Sequence, residues 1–477
     1  MYIAGEWTAS ATGRTFDTLD PGTGERLTTV AAGNATDVDR AVKSAQQAFA
    51  KSGWSTMPAS ERAVLLHRLA DLIEKRVLLL SEIESRDVGK PRGQAIAFDI
   101  PHAAKTLRYY ADLSVHTRKS ESIAVAGLDA RSIRQPYGVC GFIFPWNFPF
   151  LLVGWGIAPA LAAGNTVVIK PAEDTPLSTL YFAKLAEEVG IPPGVINVVT
   201  GLGETAGAAL AAHPGIKRMS FTGSPEVGRL VGQVCAGNLV PVKLELGGKG
   251  AAVIFEDAAM ESAAEALVAA VTLNAGQVCC TATRWLVHAR IADRFIDKAS
   301  SLMSNLKIGY GGDAQTQIGP LVSEKQRQRV LSYIRRGQAE GATAVLAGGL
   351  GEVPGFQNGF YVKPALLSGP PENICAREEI FGPVAYVMTF RDEAEAVELV
   401  NRSPYGFANS VWSADLSRAI CVSGRLIAGN SWINAHNVFA HGVPYGGCNL
   451  SGCGGGVPGP DTLDDYFRKQ SVVRPLA

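Results

Sequence analysis

The chain has 477 residues, with 44 Lys plus Arg against 44 Asp plus Glu and therefore no formal net charge. That length exceeds what one hydrophobic core usually organises, so two or more domains are expected. The balanced charge, without a like-charge run, favours neither nucleic acid nor a membrane surface as partner, and Met1–Trp7 has no basic or apolar leader, so a cytoplasmic location is expected.

Along the chain, Thr36 is positioned to cap a helix in which Val38, Val42, Ala45 and Phe49 recur at helical spacing. An amphipathic segment follows from about 60 to 87, so the opening reads as helical. Residues 118–135 and the tail after Val457 fit no such pattern and are expected to be strands pairing outside the main sheets, as oligomer contacts do. Short β-rich runs at 139–144, 166–170, 195–199 and 218–221 alternate with helices at 177–189, 204–212 and 226–235, which predicts a parallel sheet with crossover helices. The apolar stretch 148–164 is interrupted by Pro149, Gly154, Gly156 and Pro159, which predicts a buried helix and not a membrane span. After Gly248 the alternation restarts, with a strand at 251–255, a helix at 260–273, a strand at 285–288 and a helix at 292–306, continuing to about Trp432. A second α/β domain is the simplest account. Gly446–Gly456 reads as a loop. Cys140, Cys235, Cys375 and Cys421 sit singly and read as reduced packing residues, and no metal is expected.

Several short motifs carry chemistry only when taken together. The run Gly201-Leu202-Gly203-Glu204-Thr205-Ala206-Gly207 is one residue too long for a dinucleotide fingerprint and reads better as a plain turn. In Phe221-Thr222-Gly223-Ser224-Pro225, Ser224 suits an N-cap and Pro225 the first helical position, leaving free amides that would face an anion; an ordinary capped helix fits equally. Lys170 and Glu173 end a strand, at the sheet edge where a nucleotide ribose usually binds, or in a solvated loop. Glu245, set among Leu244, Leu246, Gly247 and Gly248, is either a structural acceptor or a tuned base. Cys279, in Gly276-Gln277-Val278-Cys279-Cys280, is either a packed core thiol or a nucleophile, and Cys280 is the better packing candidate. A thiol, a carboxylate and the Asn147 amide are the parts needed to attack a carbonyl, hold the oxyanion and activate water.

With Glu378 to Pro383 added, these motifs stand in the order found in the aldehyde dehydrogenase superfamily, which the chain resembles from Tyr2 to about Gly454. The resemblance implies two Rossmann-like α/β domains with parallel-sheet cores plus a small β oligomerisation flap. Residues 1–117 and 136–247 would bind cofactor, 248–448 would be catalytic, and 118–135 and 457–477 would form oligomer contacts. It further implies Cys279 as nucleophile, Asn147 with the Cys279 amide as oxyanion hole, and Glu245 as the base that frees the acyl group. Trp146, Lys170, Glu173, Gly223, Ser224, Leu246, Glu379 and Phe381 would hold the dinucleotide. Glu173 favours NAD, because a carboxylate accepts from ribose hydroxyls and repels a 2′-phosphate, although NADP could bind if it swings aside.

The matching substrate tunnel would comprise Phe148, Leu152, Trp155, Leu273, Val278, Phe439 and Tyr445, with Asn437 and His441 the polar groups nearby. No Arg or Lys stands where a distal carboxylate would need one, so an uncharged aliphatic or aromatic aldehyde is expected, bound by a homodimer or homotetramer. Four places depart from the family pattern, the atypical tail Tyr466-Phe467-Arg468-Lys469 among them. Gly156 replaces a frequent basic residue, Gly455-Gly456-Val457-Pro458 replaces Arg-Glu-Leu-Gly, and Gly446-Gly447-Cys448-Asn449 lacks a frequent Lys. Two other readings stay open: a CoA-acylating enzyme, which the carboxylate at 245 opposes, and a non-catalytic binding protein on the same fold.

Overall fold

The computed structural model describes residues 1–476. Runs such as Thr166–Lys170 and Gly250–Ile254 are buried along their whole length, as suits strands covered on both faces by helices. They assemble into two large sheets. The first has eight strands in the order Glu6–Trp7, Tyr2–Ile3, Ile196–Val198, Thr166–Lys170, Val139–Ile143, Arg218–Thr222, Val242–Glu245 and Gly452–Cys453, parallel from Ile196–Val198 through Val242–Glu245. The second has seven, in the order Thr343–Leu350, Val362–Ser368, Val384–Phe390, Ala282–His288, Gly250–Ile254, Ala408–Trp412 and Asn430–Ile433, parallel after the first. Outside both, the tail strand Phe467–Pro475 pairs with Leu128–Pro136, which pairs with Ser120–Val125, so the expected extra strands form.

Several local expectations are corrected. The chain opens on four short strands before any helix, because Tyr2–Ile3 extends the first sheet and Thr15–Leu19 pairs with Arg26–Ala31. Asn34, not Thr36, caps the first helix: its side chain accepts from Thr36 N and Asp37 N, and Asp37 completes a capping box. The segment 60–87 is two helices, Ala59–Lys75 and Val77–Val88, broken at Arg76. The helix predicted at 204–212 begins as a π-helical turn, Gly203–Gly207. Gly446–Gly456 is not only loop, since Gly452–Cys453 joins the first sheet antiparallel to Val242–Glu245. Cys140, Cys235 and Cys375 are buried, but Cys421 is exposed.

Helix Pro149–Ala162 is almost wholly buried, and no helix among the described residues is long and apolar enough to cross a membrane. Its entry is held by a buried ionic cluster. Lys90 Nζ lies 2.5 Å from Asp99 and 3.7 Å from Glu84, Glu84 accepts from Phe150 N at 3.4 Å, and the ammonium sits 3.9 Å from the Phe148 ring centre. Removing one member of such a cluster leaves buried charge uncompensated. Lys90→Met is therefore expected to lower stability by about 3–5 kcal/mol, read from urea unfolding.

Candidate active site

The carboxyl ends of the first sheet face the amino ends of the second. Strands ending at Ile143, Lys170, Thr222 and Glu245 lead into Asn147, Glu173, Ser224 and Leu246; strands beginning at Gly250, Ala282, Val384 and Ala408 are preceded by Gly247, Cys279, Glu379 and Phe407. All eight of these flanking residues line one cavity of about 870 Å³. The thiol, the carboxamide and the candidate cofactor edge are thereby brought together.

Cys279 follows a strained turn. Asn274, Ala275 and Gly276 have φ of 48°, 53° and 75°, and a Cβ at Gly276 would collide with the Gly382 carbonyl. An amide network holds this turn against the Asn147 loop. Asn147 Nδ2 donates to Gln277 O at 3.0 Å, Asn274 Nδ2 donates to Asn147 O at 2.8 Å, and Gln277 Oε1 accepts from Val322 N at 2.9 Å. Asn147 Nδ2 retains a second hydrogen, and among the described residues the Cys279 amide N–H donates to no backbone carbonyl. Asn274 was not singled out from sequence; the signal that could have led to it was Gly276 and Gln277 before the thiol, which suggest a tight backbone where amides converge.

The Cys279 sulfur lies 3.7 Å from Tyr445 Oη. A hydrogen bond with the Cys280 thiol, and then burial, hold the Cys279 thiol well above its ordinary range. The same hydrogen bond lowers Cys280, because two adjacent thiols cannot both ionise; burial opposes charge on either, and a protonated Cys279 at rest is the direction that follows. Glu245 is 6% exposed and neither carboxylate oxygen has a partner in the chain. Burial pushes it up to about 8, with Lys243 pulling the other way. Glu379 is pushed up to about 7 by burial, while its Oε1 accepts from Gly248 N at 2.8 Å.

At the far end of the cavity, Lys170 Nζ is 2.7 Å from Glu173, whose carboxyl is raised by burial but lowered further by that ammonium, for a net fall. Ser224 caps the helix Pro225–Gly237, accepting from Val227 N at 3.3 Å, so the capped-helix reading holds and its N-terminus faces the cavity. Trp146, Gly223, Leu246 and Phe381 line the same space, with the Trp146 and Phe381 rings edge to face at 5.2 Å. Gly203 also reaches it, though its segment is a turn and not a fingerprint.

Toward the other end, Phe148, Leu152, Trp155, Leu273, Val278, Phe439 and Tyr445 form an apolar wall. Phe98, Leu151, Phe407 and Val457 complete it and were not anticipated, since they come from four separate segments. Asn437 is a correction: its Oδ1 accepts from Cys280 Sγ at 3.3 Å, and it does not line the cavity. His441 is likewise turned away, bonded to Thr106 Oγ1 at 2.9 Å.

The described residues hold no cluster suited to a metal ion. Residues 7–472 match the model of the aldehyde dehydrogenase family. The chain is 42% identical over 459 residues to the mitochondrial aldehyde dehydrogenase of Rattus norvegicus, covering 95% of this chain and 87% of that one. It is 39% identical over 479 residues to the mitochondrial benzaldehyde dehydrogenase of Antirrhinum majus, covering 100% and 89%. Among solved structures, an NAD+ complex of an aldehyde dehydrogenase from Bacillus cereus superposes with a TM-score of 0.97 at 38% identity, covering 100% and 96%.

Gly156 is packed so that a Cβ there would lie 2.7 Å from Phe144 Cζ. Gly156→Ala is expected to destabilise the fold by about 1–3 kcal/mol through overpacking, measured by urea unfolding.

Proposed function

Because the chain belongs to the aldehyde dehydrogenase family, we propose that it oxidises an uncharged aliphatic or aromatic aldehyde to the carboxylic acid, with NAD as cofactor, through a covalent bond to Cys279. The observation that carries this reading is the single cavity shared by Cys279, Asn147, Glu245, Glu379 and Glu173. The cofactor fits the residues present. Glu173 and Lys170 offer an acceptor and a donor to one ribose, the Ser224-capped helix end suits the pyrophosphate, and the Glu379 carboxylate, already fixed by Gly248 N, suits the second ribose. NAD, when bound, supplies the acceptor for the hydrogen that leaves the carbonyl carbon with its electron pair.

This chain's residues do the rest. The Cys279 sulfur, its proton passed to the Glu245 carboxylate and from there to water, bonds to the carbonyl carbon and pushes the double-bond electrons onto oxygen. The free hydrogen of Asn147 Nδ2 and the Cys279 N–H stabilise that oxyanion, an effect worth about 10²- to 10³-fold per donor. Collapse of the oxyanion leaves a thioester. Glu245 then takes a proton from water as the oxygen attacks, and the C–S bond breaks to give the acid and the thiol. A base buried at the cavity wall with no hydrogen-bond partner in the chain is poised near neutral pH. The three-stranded sheet built on the tail carries exposed Val472 and Val473 and suits contact between copies in a dimer or tetramer.

Because Glu245 acts ionised and is raised to about 8, kcat should climb through that pH. Glu245→Gln is expected to lower kcat by about 10²- to 10⁴-fold and abolish the climb, while Cys279→Ala should stop NADH formation; a Gln variant that keeps the wild-type profile would reject the base assignment. The apolar wall predicts a higher kcat/KM for benzaldehyde than for succinate semialdehyde, measured with NAD and NADP, and a clear preference for the acid semialdehyde would reject the pocket assignment.

A further inference from the structure

Lys243 was not singled out from sequence, yet it lines the same cavity as Glu245. The two are separated by one residue on the strand Val242–Glu245, so their side chains leave the same face of the sheet. Parallel pairing puts Ser220 beside Lys243 and Thr222 beside Glu245. Arg218, two residues before Ser220, therefore shares that face too.

A lysine only 2% exposed, which forms no ion pair or hydrogen bond among the described residues, needs a reason to be there. The charges around it supply one. Arg218 lies 3.7 Å from Asp465 and donates to Gly454 O at 3.4 Å, so its charge is already answered. The charged groups facing Lys243 are Glu245 on its own strand, Arg218 on the neighbouring strand and Asp465 from the turn after Asp461–Asp464. Asp465, partly exposed, is paired to Arg218 and acts on Lys243 as well, so Glu245 is the fully buried anion that Lys243 faces. Neither Gly156 nor Gly456 has space for a side chain of its own, because a Cβ at Gly156 meets the Phe144 ring and one at Gly456 meets the Tyr445 carbonyl.

We propose that Lys243 is the counter-charge on which Glu245 depends, a buried ammonium on the same strand that keeps the hydrolytic carboxylate ionised. Lys243 is a positioning residue, acting through Glu245 and not on the substrate. The proposal rests on Glu245 being the base. It also accounts for an acid in this enclosure with no bond to either oxygen, since a cation on the same strand face, not in direct contact, stabilises the carboxylate without occupying the lone pairs that must receive the proton from water.

The test is the pH dependence of kcat for benzaldehyde with saturating NAD, in the full-length wild type, Lys243→Met, Lys243→Gln and Glu245→Gln, each checked for cooperative unfolding. Loss of the ammonium makes Glu245 harder to ionise. The rise of kcat should therefore move up by about one pH unit or more in both Lys243 variants, lowering kcat about tenfold at pH 7, with recovery at high pH and little change in KM for NAD. Lys243→Gln keeps a polar group in place should the methionine variant not fold. A rise at the wild-type pH in a folded Lys243 variant, together with its loss in Glu245→Gln, would overturn the role of Lys243 alone. Persistence of the rise in Glu245→Gln would overturn the base assignment and the proposal with it.

Discussion

The hydrogen bond from Asn147 Nδ2 to the Gln277 carbonyl, 3.0 Å long, joins the loop at the carboxyl edge of one sheet to the turn at the amino edge of the other. Asn274 doubles the link by donating to Asn147 O. Together they fix the distance between an amide that can hold an oxyanion and a sulfur that can create one, and they do so with groups carrying no charge. The left-handed run Asn274–Gly276 is the backbone consequence. Ala275 in that region is costly for a residue with a Cβ, and the strain persists because the amide network and the Gly382 carbonyl leave no alternative path.

Burial sets the chemistry of the cavity. Glu245 and Glu379 are both raised by desolvation, and the Cys279 thiol is held up as well. The carboxylates differ in how they are held: Glu379 is fixed by a backbone amide, whereas Glu245 is bonded to nothing and so free to take a proton. The same residue type is thus held by a backbone amide at one position and left without a hydrogen-bond partner in the chain at the other.

Shape is set by aromatic packing. Trp155, Phe439, Tyr445 and Phe407 form successive edge or tilted contacts around the thiol, and Phe144 fills the space above Gly156. The wall's own residues carry no charge, so what they offer a bound group is apolar burial.

The sequence by itself determined the alternation of strands and helices and the strands in 118–135 and in the tail, and it picked out Cys279, Glu245, Asn147 and Glu379, which share one cavity, because periodicity and motif order are local properties. It misread the opening, since Tyr2–Ile3 is a strand only by virtue of an edge at Ile196–Val198 far along the chain. It took Gly446–Gly456 for a loop because two-residue strands leave no periodic trace. Asn437 read as a tunnel residue because sequence position cannot tell which way a side chain turns, and it turns to Cys280. Only the tertiary structure decided that Asn274 and Gln277 steer Asn147, and that Lys243 shares a buried face with Glu245. The first relation depends on distances across separate elements, and the second on the exclusion of water from one strand face by the elements packed on it, neither of which is encoded in the order of neighbouring residues.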